Sequence, residues 1–510
     1  MQILAPLKPL FSLDTTTLLA KGSNDKTKVR ALQMMLYNLG YSEELKWSSF
    51  RADGDYGGST SRALAAFKKA NKLGEDGSQL DTKTMALLVE RFEFLPFLKQ
   101  LNKALSDQSL TDLFSGPSGT GKTVQLAKLS NTHFANEVPT LAEVKAALKT
   151  IAPLYGKHFL TSLSENDDGG KPTISTEGSR FVVIDNWAKV KLKKHKKGVW
   201  TMGGDKPLDF IHNNEEELLD SGLSASDVRI ITPVSSNEGD LNAINTWDNC
   251  FMTFGMFQWT LGQDSGKGEL PALLLRLKKD EPDAFEQYFG RFGVGLSSDT
   301  TKTTGYLLLN GKKVKSSAAK EKFRKDTLWA FRFWKAGLDA RVKNVQIKHA
   351  LDRISSFLFN DNYRPLNKFH IGDFITSEYG LCLLLDHHVN RPGHLMSFSI
   401  GRKDIIGQAL KKARLHDSKP AEWGTKEEQK LIQAYLPLRY ASSMTHSKER
   451  AAKIKNYLDK GLLSDERFSY KSTPKATTSR GLDIPATFDA EPGNYSLIDY
   501  KEYEEREFVE

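Results

Sequence analysis

The stretch SSNEGDLNAINTWDNCFMTFGMFQWTLG, residues 235–262, is dense in groups that could do chemistry. It holds the carboxylates Glu238, Asp240 and Asp248, with Glu269 shortly beyond, and the flat rings of Trp247, Phe257 and Trp259. Gln258 adds an amide that both donates and accepts hydrogen bonds, and Thr253 a hydroxyl that could hold a water. If Phe251, Phe254 and Trp259 keep water from Glu238, its pKa rises, because a carboxylate loses hydration on burial.

Outward from this segment, residues 181–470 form one large, mostly helical region without an obvious linker. ELPALLLRLKK (269–279) is amphipathic, DTLWAFRFWKAGL (326–338) is aromatic-rich, and EYGLCLLLDHHVNRPG (378–393) is apolar enough to predict a buried helix. His387 and His388 are adjacent, so they leave a helix on different sides and are expected in the core or hydrogen-bonded, not on a metal. From Lys471 onward the chain turns Ser/Thr/Pro-rich and then acidic, which predicts a flexible or docking tail over 471–510. Upstream, residues 96–180 read as a connecting region. There LAEVKAALKTIAPLYGKHF (141–159) predicts a helix, SENDDGGKPTISTEGS (164–179) a loop and RFVVIDNW (180–187) a strand. KVKLKKHKKG (189–198) then places Lys189, Lys191 and Lys193 along one strand face.

Residues 21–95 form the first unit. KVRALQMMLYNLGY (28–41) and TSRALAAFKKANKL (60–73) carry apolar residues at helical spacing, and DTKTMALLVERF (81–92) predicts a third helix. Between them FRADGDYGGST (50–60) and EDGSQ (75–79) are turns, where glycine can take positive φ. This unit resembles the peptidoglycan-binding domain-like family through V-R-A-L-Q-x-x-L-x-x-L-G-Y at Val29–Tyr41 and D-G-D-Y-G-x-x-T-x-x-A-L-x-x-F at Asp53–Phe67. Asp76-Gly77 and Thr84–Leu88 complete the likeness; Lys68 departs from it, standing where the family often has Gln. The resemblance implies a small helical bundle that binds peptidoglycan.

The 235–262 segment resembles the active-site segment of the lysozyme-like superfamily, which includes lysozymes, chitosanases and lytic transglycosylases. The likeness lies in Glu238-Gly239, a polar turn with Asp248, and F-G-x-F-Q at Phe254–Gln258. It implies a mainly α (α+β) fold in which the acid Glu ends a helix and a small β-hairpin lines a glycan cleft. Residues 378–393 would be the buried helix behind that cleft. Glycoside cleavage needs a protonated carboxyl beside the leaving oxygen and usually a second group. Glu238 is then the expected acid, Asp248 the second catalytic group and Thr253 a water-holding hydroxyl. Gln258, Trp247, Trp259, Asp240 and Glu269 are expected around the substrate. Whether the reaction is a hydrolysis or a transglycosylation stays open, as does a non-catalytic wall-binding protein with a dead lysozyme fold.

GPSGTGKT (116–123) fits the phosphate-binding pattern G-x-x-x-x-G-K-[ST]. Such a loop follows a buried strand, however, and SDQSLTDLFS (106–115) is too polar for one, so a Gly/Ser linker is the expected reading. RFVVIDNW supplies an apolar run ending at Asp185 that could pass for a Mg²⁺-binding strand, and a P-loop ATPase is kept as the alternative. The net charge of +9 suits any polyanion. No nucleic-acid motif accompanies it, so the expected partner is peptidoglycan and not nucleic acid. No apolar run reaches the length of a membrane span, and Cys250 and Cys382 are expected as free buried thiols. No cofactor or metal is expected. MQILAPLKPLFSLDTTTLLAKG (1–22) lacks the pattern of a signal peptide. The expectation is synthesis in the cytoplasm and action at the bacterial cell wall, in the periplasm, after delivery by another route. A phage tail or a contractile injection system would provide one, with the acidic tail docking onto the secretion or tail-assembly partner.

Overall fold

The computed structural model describes residues 7, 10, 17–107, 110–114, 119–134, 138–163, 170–360, 363–395 and 404–471. The tail expected over 471–510 therefore lies, beyond Lys471, outside the described residues, as do residues 164–169 of the loop expected at 164–179, whose remainder instead holds the strand Thr173–Glu177. The fold is mainly α with small antiparallel sheets, as the sequence predicts. It divides into two compact units, residues 1–191 and 192–510. No helix among the described residues is long and apolar enough to cross a membrane.

In the first unit the helices Lys26–Asn38, Gly58–Ala70 and Thr82–Glu93 stand where the periodicity places them. Asp25 caps the first through a 3.0 Å bond from the Lys28 amide, and Val29, Leu32, Met35 and Leu36 are fully buried on it. Gln33 fastens the DGDYG turn to this helix: its Nε2 donates to Asp53 Oδ1 (2.7 Å), to the Asp55 carbonyl and to Thr60 Oγ1, and its Oε1 accepts from Gly54 N. The two D-G turns need glycine for different reasons. Gly54 takes φ +80°, the left-handed region expected of it, whereas Gly77 does not; a Cβ there would meet the Ser61 carbonyl at 1.9 Å. Lys68, the departure from the family pattern, is buried and satisfied by the Gln79 carbonyl (2.8 Å) and the Asp81 carboxylate (2.9 Å).

Residues 96–180 are not a linker. Leu98, Leu101, Phe114, Leu126, Val144 and Ile151 belong to the same apolar core as the first three helices. Gly156 packs so close that a Cβ on it would meet the Gly40 carbonyl carbon at 2.3 Å, and its amide donates to Leu39 O (2.8 Å). Asn71 Nδ2 and Tyr155 OH add bonds to Leu154 O and Arg91 O. The compact unit accordingly runs on to residue 191.

The phosphate-loop match is a helix and not the expected linker from Gly119 onward, with residues 115–118 outside the described set. A helix, Leu110–Phe114, precedes it where a nucleotide fold requires a strand, and Lys122 donates to the Leu113 carbonyl at 3.3 Å. The strand Arg180–Ile184 pairs antiparallel with Thr173–Glu177, and Asp185 caps a turn by accepting from the Trp187 and Ala188 amides. Among the described residues these strands do not form the parallel sheet of a nucleotide-binding fold.

In the second unit an antiparallel ladder runs from residues 193–194 through Val199–Thr201, Ile244–Asn245, Thr253–Phe254 and Trp259–Thr260. The last two strands are the expected small hairpin; Gly255 at φ +77° and Gln258 at φ +52° turn it. The helix Ala225–Ser235, opened by a Ser224/Asp227 capping box, packs against Glu378–Asn390 and Ser447–Asp459. Glu378–Asn390 is apolar nearly all round and buried throughout its first eleven residues, the central-helix position its composition predicts. His387 there hydrogen-bonds Tyr435 OH (2.6 Å) and His394 (3.2 Å), as expected of a core histidine, and both cysteines are free and buried.

Candidate active site

Glu238 lies three residues beyond the end of the helix Ala225–Ser235. Its amide still donates to Ser235 O, and the next amide, Gly239 N, donates to Met256 O of the hairpin (3.0 Å). The carboxyl is thereby held between helix end and hairpin, at the edge of a cavity of about 750 Å³. Trp200 and Trp247 on the strand side, and Phe257 and Gln258 on the hairpin, also line that cavity. Trp247 is 36 % exposed and stacks on the His195 ring at 5.2 Å between centroids. An exposed, braced ring of this kind suits an apolar sugar face. His446, Glu449, Arg450 and Lys453, at and just after the start of the helix Ser447–Asp459, complete this part of the lining.

Behind Glu238 runs a chain of alternating charge. Arg450 Nη2 pairs with Glu238 Oε1 and with Asp386 Oδ1 (2.6 Å), and its Nη1 donates to the Asn237 carbonyl (2.9 Å). Asp386 accepts from Arg439 Nη2 (2.5 Å) and Asn237 Nδ2 (3.1 Å), and Arg439 also donates to Leu383 O. Asp386 and Arg439 are fully buried, and the Glu238 side chain is 12 % exposed. Burial alone would raise the Asp386 carboxyl, but Arg450 and Arg439 outweigh it and hold the group below its ordinary value. For Glu238 burial wins: it pushes the carboxyl up to about 7, with Arg450 offsetting part of the effect and Asp386 adding to the rise. A carboxyl poised there is still substantially protonated at neutral pH, as an acid catalyst must be.

The pH response follows with a definite sign. Any reaction that draws a proton from Glu238 is expected at full rate below pH 7 and to fall off as pH rises through about 7. The folded protein also binds this proton more tightly than the unfolded chain, so stability from this group declines as pH climbs from the ordinary carboxyl range to about 7. A pH–rate profile whose alkaline limb lay near 4.5, the ordinary value for Glu, would contradict the burial argument.

Of the residues expected at the site, the structure brings Glu238, Gln258 and Trp247 to the cavity. Gln258 is oriented by Thr253 Oγ1, which donates to its Oε1 (3.0 Å), and by its own bond to Gly255 O. Thr253 is fully buried, so its hydroxyl positions Gln258 and does not hold a water for attack. Asp248 does not line the cavity. It shapes the turn that follows Asn245, accepting from Asn245 Nδ2 (2.7 Å) and Cys250 N (2.9 Å). Asp240 is buried against Lys206 and the Gly204 amide, Glu269 pairs with Arg353 (2.6 Å), and Trp259 is fully buried beside Phe257 and His349. These three are structural groups, not substrate contacts. Sequence reasoning missed Arg450, Asp386, Arg439, His195, Trp200 and Glu449. Only Asp386 carried a signal, a lone acid in the apolar run LCLLLDHH that had to find a buried cation.

Comparison with known proteins bears on the first unit. Residues 25–88 match the family of putative peptidoglycan-binding domains. The match falls inside the 21–95 module and covers the helices Lys26–Asn38 and Gly58–Ala70 and the helix from Thr82 as far as Leu88. No characterised protein and no solved structure matches the chain. The match supports peptidoglycan as a partner of the first unit; the cavity of the second unit lies outside the matched segment.

Proposed function

We propose that the second unit is a lysozyme-like enzyme that cleaves the glycan strands of peptidoglycan, brought to its substrate by the peptidoglycan-binding module. The observation that carries the reading is Glu238: a buried carboxyl raised to about 7, opening on an aromatic-lined cavity. Trp200 and Trp247 would stack on sugar rings, and Gln258, held in orientation by Thr253, would hydrogen-bond an acetamide or hydroxyl. As the glycosidic oxygen takes its proton, Glu238 becomes a carboxylate beside Arg450, whose guanidinium is already in place to neutralise it. Positioning the charge before the reaction avoids reorganisation during it. The site of action would be the bacterial cell wall.

Purified full-length protein is expected to clear suspensions of isolated sacculi and release soluble muropeptides identifiable by mass spectrometry. It should also pellet with sacculi. Removing residues 1–191 is expected to lower the pelleted fraction by about tenfold or more, because the module supplies local concentration, while soluble glycan fragments are still cut. Equal pelleting with and without the module would refute targeting, and intact sacculi after prolonged incubation would refute cleavage.

A further inference from the structure

Glycoside hydrolysis by a general acid usually enlists a second carboxylate, and the three acids that the sequence singles out beside Glu238 do not serve. Asp240 and Glu269 are each buried against a cation, and Asp248 closes its own turn. The lining of the cavity contains one carboxylate besides Glu238, that of Glu449. Among the described residues it is engaged by no ion pair or hydrogen bond, although lysine and arginine neighbours are close in sequence. Glu449 stands in the first turn of the thirteen-residue helix Ser447–Asp459, where helix geometry favours an anion. It immediately precedes Arg450, and consecutive helical residues leave the axis about 100° apart. Arg450 can therefore reach inward to Glu238 and Asp386 while its neighbour opens to the cavity.

We infer that Glu449 is the base that activates the attacking water, completing with Glu238 the pair of carboxylates in the cavity. This rests on the glycan-cleaving reading given above. Glu238 passes its proton to the glycosidic oxygen, and that oxygen keeps the electron pair of the broken C1–O bond. The water forms the new C1–O bond and gives a proton to the Glu449 carboxylate. Solvent then returns a proton from Glu449 to Glu238. Attack by water from the face opposite the leaving group inverts the configuration at C1.

The test uses the full chain on solubilised peptidoglycan strands. Glu449→Gln is expected to lower kcat by about a hundredfold or more with KM nearly unchanged. The exposed position of Glu449 leaves the folded state undisturbed, which the unfolding temperature checks. Glu449→Ala is expected to regain turnover with added azide, giving a glycosyl azide of inverted configuration, and nuclear magnetic resonance should show inverted product from the unmodified protein. Retained configuration, 1,6-anhydro products, a loss confined to KM, or more than about a tenth of kcat left in Glu449→Gln would each overturn the inference. A chain that cuts when Glu449 is replaced but not when Glu238 is replaced removes this inference alone. A parent protein that cuts no glycan removes the enzymatic reading with it.

Discussion

Glu238→Gln is expected to abolish clearing of sacculi while the protein stays folded. Glutamine keeps the shape of the side chain and can still accept from Arg450, but it has no proton to give at neutral pH. Loss of a general acid typically lowers the rate by a hundredfold or more. The fold should tolerate the change because burial already disfavours the charged form of Glu238, as its elevated pKa records. Arg450 also retains Asp386 as a partner. Turbidity loss and released reducing ends, measured beside the unfolding temperature, check both halves. Activity above about a tenth of the parent value would remove Glu238 from the chemistry.

Asp386→Ala is expected to be the most destabilising single change near the site. The aspartate neutralises two arginines, and Arg439 is fully buried with no exposed surface to rehydrate. Stripping one partner from a buried pair costs about 3–5 kcal/mol, because the remaining charge is left unpaired. Chemical denaturation should show that loss, and glycan cleavage should fall with it as Arg450 is freed from its place behind Glu238. Replacing Asp386 and Arg439 together by leucine and methionine should recover much of the stability, since well-packed apolar residues can match a buried ion pair. A loss under about 1 kcal/mol in the single variant would mean that the arginines find other partners.

Local patterns made much of the architecture legible. The three module helices and the buried helix Glu378–Asn390 follow from apolar spacing, glycines and caps, whereas the hairpin and the acid beyond a helix end were implied only by the resemblance of residues 235–262. What local pattern could not supply was pairing at a distance. Arg450 stands 212 residues from Glu238, and nothing in SKERAAKIK marks it as more than a surface helix. The face of each hairpin residue was equally hidden. Strand residues alternate sides, and a segment this short leaves open which set faces the cavity. Trp259 and Thr253 turn into the core while Gln258 and Trp247 meet the cavity, and no composition rule separates them. Although Leu98 and Leu101 lie at helical spacing, local pattern hides that residues 96–180 pack and do not merely connect. They are stable through a core whose other half lies in the module.

The backbone contact between Gly40 and Gly156 bears on how this module could be transplanted. Family boundaries suggest a portable cassette of residues 25–88, ready to be fused to another enzyme as an address label. The chain does not cut cleanly there. Leu39, Tyr41 and Phe67 share one core with Val144, Ile151, Tyr155 and Phe159, and severing the two would bare that apolar surface to water. The transferable part is the whole first unit, so an engineer borrowing the address must carry the later helices along with it.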